Sequence, residues 1–108
     1  MRVIWTEPAE DDLDAVFDHV ARDAPLYAEA LAERIVAATE VLAATPRIGR
    51  IVTEAGLETV RERIVQSQRI VYEIDDEQGT VSILALVHVR QDLAGREDKP
   101  WKKDEGPR

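Results

Sequence analysis

Arginine and one histidine carry the chemistry available to this sequence. Residues 46–96 hold seven Arg, eight Asp/Glu and no Lys. Arg61 and Arg63 alternate with Val60 and Ile64, Arg69 opens the run R-I-V-Y, and Arg90 follows His88 by two residues. Arg50 lies in a connector between Pro46 and Leu57. A guanidinium group is planar, permanently charged and able to hold a phosphate or carboxylate through two parallel hydrogen bonds. High-GC codon usage produces the same Arg-for-Lys bias, so residue type alone does not name the ligand. By the two-residue period of a strand, His88, Arg90 and Asp92 fall on one face.

The elements that position these residues can be read from periodicity. Thr59–Val65, Arg69–Ile74 and Val81–Val89 read as three consecutive strands. Ile70, Tyr72 and Ile74 share a face, and Gln66-Ser67-Gln68 is a polar break. Asp75–Gly79 is an acidic hairpin loop whose Gly suits positive φ. Ahead of them, Arg2–Thr6 is a short strand. Thr6 caps a helix whose first turn is rich in Glu, Asp and Pro. Leu13, Val16, Phe17 and Val20 form its apolar stripe. A second helix, from Pro25 to Ala44 with Asp23 as its cap, has the stripe Leu31, Ile35, Ala38 and Leu42. So short a link makes an αα-hairpin, which must cover one face of the sheet to be stable. Gly49 and Gly56 read as turn residues in the connector. The expected fold is α+β, in the order β-α-α-β-β-β with a small, mainly antiparallel sheet. Residues 1–93 form one domain and residues 94–108 a polar tail, in which Trp101 covers sheet surface.

Composition narrows the function classes. With 108 residues and 44% hydrophobic content the chain is long enough for one modest core. It has no Cys, which removes disulfides, thiol chemistry and Cys-ligated zinc. No segment is long and apolar enough to span a membrane, and no signal pattern opens the chain, so a cytoplasmic location without membrane contact is expected. The net charge is −8, but residues 1–45 alone carry ten Asp/Glu against three Arg. The acidity therefore sits in the helical half, and the strands can still present a local cationic patch. Asp14 and Asp18 read as part of a solvated helix face. No metal-ligand spacing, Gly-rich phosphate loop or Ser/His/Asp order is present, so no metal or cofactor is expected.

Four pieces in order resemble one family. Trp5, Ala9 and Leu13 resemble the W-x(3)-A-x(3)-L opening of the ParE branch of the RelE/ParE toxin superfamily. Pro46, Gly49 and Arg50 resemble its connector. Arg61, Arg69-Ile70-Val71-Tyr72 and Val87-His88-x-Arg90 resemble its strand signature. The resemblance covers residues 1 to about 92. It implies the toxin of a type II toxin–antitoxin module that forms a hetero-oligomer with a cognate antitoxin. ParE-like members poison DNA gyrase by binding it, and RelE-like members cut messenger RNA on the ribosome. Gln68 in place of the aromatic before R-I-V-Y, the lack of a Tyr after Arg90 and the acidic total count against the RelE-like nuclease.

For the RelE-like alternative the resemblance implies catalytic roles for Arg61, Arg69, His88 and Arg90. Metal-independent RNA cleavage needs an acid–base group and cations for the phosphorane charge. Alternation turns Glu62 away from Arg61 and Arg63, leaving His88 for proton transfer. His88 also reads as a strand-end histidine hydrogen-bonded for packing. Under either toxic reading Arg50, Arg61, Arg63, Arg69 and Arg90 are the expected binding residues, and a non-toxic interaction module is a third reading. Arg50 also reads as the ion-pair partner of the acidic helices. If the hairpin sets Arg69 beside Arg61 or Arg63, up to four guanidinium groups gather on one patch. Of the candidate counter-charges, Glu73 and Asp92 share facing with Arg69 and Arg90, and Glu62 does not. Leu84 and Leu86 are expected on the face of His88 and Arg90, with Val81, Ile83, Ala85 and Val87 on the other.

Overall fold

In the computed structural model, which describes residues 1–91 and 99–101, the chain begins with β1 (Arg2–Trp5). α1 (Glu7–Ala21) and α2 (Pro25–Glu40) follow, then two 3-10 turns at Val41–Ala43 and Pro46–Ile48. β2 (Arg50–Ile51), β3 (Val60–Val65), β4 (Gln68–Asp75) and β5 (Thr80–His88) complete it. The strands form one sheet in the order β1-β5-β4-β3-β2, with β1 parallel to β5 and the other pairs antiparallel. This is the expected α+β arrangement with one addition, the two-residue edge strand β2. It is too short for a periodic signal and exists because the connector is pinned against β3.

Local chemistry explains most boundaries. The Thr6 hydroxyl accepts from the Ala9 N–H at 3.3 Å and donates to the Ile83 carbonyl at 2.7 Å. One side chain thus caps α1 and ties it to β5. α2 ends at Glu40, short of Ala44, because the chain tightens into 3-10 geometry over Val41–Ala43. Its N-cap is Ala24 with no side-chain cap bond, so the expected role of Asp23 is corrected. Pro at the start of that helix presets φ and needs no N–H there.

Two apolar clusters sandwich the sheet. The larger packs Leu31, Ile35 and Leu42 of the helical segment against Ile70, Tyr72 and Ile83. The smaller lies on the opposite face, where Val52 and Ala55 of the connector and Trp101 fold over Val60, Val71 and Val87. The second face is therefore partly covered by the chain itself. Trp101 covers sheet surface as expected. Residues 94–98 and 102–108 of the proposed tail, and Asp92, lie outside the described residues.

The strand facings change at Leu84. Val71 pairs with Ala85 but Tyr72 with Ile83, so Leu84 is an extra residue bulged out of β5. Past the bulge the phase flips. Val81 and Ile83 join Leu86 on the helix side, while Ala85 and Val87 face the other way. Leu84 packs on that second side too. Strict two-residue alternation had paired these residues wrongly. The Leu86 N–H is met by Asp12 of α1 at 3.0 Å.

Candidate functional site

The hairpin between β3 and β4 decides where the arginines go. Its loop is the two residues Gln66 and Ser67, with Gln66 at φ 56. Counting back from that loop pairs Val65 with Gln68 and Ile64 with Arg69. Directly paired residues share a face, so Arg69 stands beside Ile64 and Glu62, away from Arg61 and Arg63. The expected four-guanidinium patch is corrected, and so is the exclusion of Glu62 as a counter-charge. The two-residue period held within β3 and β4; the register between them was the missing quantity.

Glu62 is the centre of the resulting site. Its carboxylate is 4% exposed and accepts from Arg50 Nε at 2.6 Å and Arg69 Nε at 2.5 Å, one oxygen each. Arg50 and Glu62 are directly paired across β2 and β3. Arg50 therefore bonds to the sheet rather than to the acidic helices, correcting its expected partner. Arg69 also reaches Glu54 of the connector, but only at 3.4 Å from Nη2 to each oxygen. Such distances mark the weak end of hydrogen bonding. A groove of about 420 Å³ opens over this network, edged by Ile51, Ile64 and Val89. Those three side chains are exposed.

The remaining expected residues are placed elsewhere. Arg61 is a clasp: Nη1 donates to the carbonyls of Arg47 and Gly49, Nε to the carbonyl of Glu58, and Nη2 to the Glu58 carboxylate. Arg63 donates to the Ala38 carbonyl near the end of α2 at 3.3 Å, where a cation suits the helix dipole. Arg90 lies in a turn beyond the end of β5, and both it and His88 are exposed. The Arg90 N–H donates to His88 Nδ1 at 3.1 Å, which leaves the proton of neutral His88 on Nε2. Pairing of His88 with Gln68 sets its side chain on the helix side, opposite to Arg69. Arg50 and Arg69 are thus brought together, as are His88 and Arg90. Arg61 and Arg63 lie on the other face of β3, away from the Arg50–Arg69 pair.

Connector geometry fixes Arg50. The Tyr72 hydroxyl donates to the Pro46 carbonyl at 2.7 Å and accepts from the Gly49 N–H at 3.0 Å. Burial pushes this hydroxyl above its ordinary pKa. Gly49 has φ −75, so it is not needed as a turn residue. Close approach explains it instead: a Cβ there would meet the Tyr72 hydroxyl and sit 2.5 Å from the Glu62 carbonyl oxygen. Gly56, at φ +66, is the turn glycine of this stretch.

Beyond Gly49, Arg47 bridges Glu58 at 2.8 Å and Asp76 at 2.9 Å, linking the connector to the β4–β5 loop. Hydrogen bonds from Arg47, then Arg61, lower the Glu58 pKa to about 2. Sequence reasoning missed Glu54, Glu58 and Asp76 as structural counter-charges. Loop acids give no periodic signal, and Glu62 follows from the β3–β4 register only once the loop length is known.

Residues 3–93 match the family described as ParE toxin of type II toxin-antitoxin system, parDE. The protein named Toxin RelE2 from Caulobacter vibrioides is 34% identical over 88 residues, spanning 81% of this chain and 93% of that protein. A chain of the chromosomal ParDE system from P. aeruginosa has a TM-score of 0.70 at 22% identity. That match covers 83% of this chain and 97% of the other, and is a likeness of fold. A chain of the toxin-antitoxin complex RelBE2 from Mycobacterium tuberculosis has a TM-score of 0.58 at 26% identity, covering 81% and 95%.

Proposed function

This chain belongs to the ParE toxin family of type II toxin–antitoxin systems, and from that membership we propose that it inhibits DNA gyrase by binding and is neutralised by a cognate antitoxin. The observation that carries the binding reading is the dispersal of the arginines. A metal-independent nuclease needs several cations and an acid–base group around one phosphate. Here Arg61 and Arg63 are spent on backbone carbonyls, and Arg69 is turned to the opposite face from His88. Arg50 and Arg90 remain exposed for contact with a partner. The relatives in solved toxin–antitoxin systems support an antitoxin as one such partner.

A ribosome-dependent nuclease is the second reading. It is favoured by the adjacency of His88 and Arg90 and by the likeness to a protein named RelE2. Induction in cells without antitoxin separates the two. Gyrase poisoning predicts a DNA-damage response while translation initially continues. An immediate stop in translation with cleaved messenger RNA, relieved by Arg90→Ala, favours the nuclease.

A further inference from the structure

The groove over Glu62 has the chemistry of a carboxylate receptor whose place is held by the chain's own Glu54. Two guanidinium groups meet here on one buried carboxylate, and the fourth charge is only loosely engaged. Glu62 uses both oxygens at 2.5–2.6 Å. Glu54 stands 3.4 Å from Arg69 Nη2, with its side chain 23% exposed. The Arg50 side chain is 69% exposed and, among the described residues, bonds only to Glu62 through Nε. Its terminal nitrogens are therefore free to close on an incoming oxygen pair. Glu54 sits in a run of turns that ends at Gly56. It can withdraw without disturbing the β3–β4 ladder that fixes Arg69.

We propose that this groove binds an extended, acidic–aliphatic segment of the antitoxin, one of whose carboxylates displaces Glu54 from Arg69 and is clamped by Arg50. With Glu54 withdrawn, Arg50, Arg69 and Glu62 sum to +1, and one carboxylate restores neutrality. The exposed side chains of Ile51, Ile64 and Val89 supply an apolar rim for aliphatic neighbours. β2 is the edge of the sheet, so an extended chain can add main-chain hydrogen bonds alongside it. A nucleic-acid backbone fits less well. It would bring many phosphates to a chain of net charge −8, and the apolar rim offers a phosphodiester nothing.

The inference depends on the toxin–antitoxin reading only for the source of the segment. Its test uses the purified full chain with neither gyrase nor ribosome, so the two readings fail separately. The probe is a capped pentapeptide alternating Ile and Glu, titrated while the Nε–H signals of Arg50 and Arg69 are followed by NMR. A Gln-for-Glu peptide and a single-stranded oligothymidylate serve as comparisons. The acidic peptide should move both signals and bind more tightly than its Gln counterpart. Arg50→Ala should weaken it about tenfold, the loss of a charge-assisted pair. Glu54→Gln should strengthen it, because the competitor has lost its charge. Circular dichroism confirms that each variant is folded. The proposal is overturned if neither signal moves, if the two peptides bind alike, or if Glu54→Gln leaves affinity unchanged or lower. Displacement of the peptide by the oligothymidylate at equal concentration would overturn it in favour of a phosphate site.

Discussion

Replacing Tyr72 by Phe removes one oxygen atom and tests whether the connector is pinned as described. Tyr72 is 0% exposed, and its hydroxyl holds both the Pro46 carbonyl and the Gly49 N–H. The ring remains in the core, so little apolar burial is lost. Gly49 is buried, so its N–H is left without a partner, at about 1–3 kcal/mol. The bond to half-buried Pro46 contributes about 0.5–1.5 kcal/mol and is partly replaced by water. The expected loss is about 2–3 kcal/mol, or roughly 10–15 °C in Tm for a chain of this size. Urea unfolding should show a lower midpoint with an unchanged m-value. Gly49→Ala should cost less in the Tyr72→Phe background than alone, because one of its two close contacts is the Tyr72 oxygen. There is also an alkaline signature. The Tyr72 pKa is raised by burial, so its contribution holds below the ordinary value of 10.0 and is lost as pH rises past it. The Phe variant should lack that slope. A loss below about 0.5 kcal/mol, within the range of ordinary surface substitutions, would refute the pinning.

Three further outcomes follow from the structure. Gln66→Gly should raise stability by about 0.5–1 kcal/mol in urea titration, because a left-handed residue with a Cβ is replaced at φ 56. Glu58→Gln should flatten the loss of stability on acidification. The depressed pKa gives a contribution present above pH 4.5 and lost as pH falls toward about 2, and salt should blunt it. Asp12→Ala should cost about 1–3 kcal/mol by leaving the Leu86 N–H unmet, and hydrogen exchange at that amide should quicken.

Much of this architecture was legible because the signals were periodic or chemical. The stripes at Leu31, Ile35 and Leu42, the Thr6 cap and the Gly79 loop all appear where the sequence places them. Three features were not legible, each for its own reason. The bulge at Leu84 inserts one residue into an otherwise alternating run and leaves no compositional mark. The pairing of Glu62 with Arg69 depends on a two-residue loop, and Gln66-Ser67 is not a typical sequence for one. Asp12 looks like one more acid on a solvated helix, yet it meets an amide 74 positions away. The site suffered most, because it is built from register and loop contacts rather than from any one element.

The proposed binding of gyrase is tested most directly with purified components. DNA gyrase relaxing and supercoiling plasmid DNA, and ribosomes translating a defined messenger RNA, would each receive the folded chain. The account predicts inhibited supercoiling, reversed by antitoxin, while the messenger RNA stays whole. Unimpaired supercoiling together with codon-positioned cleavage of the messenger RNA would contradict it.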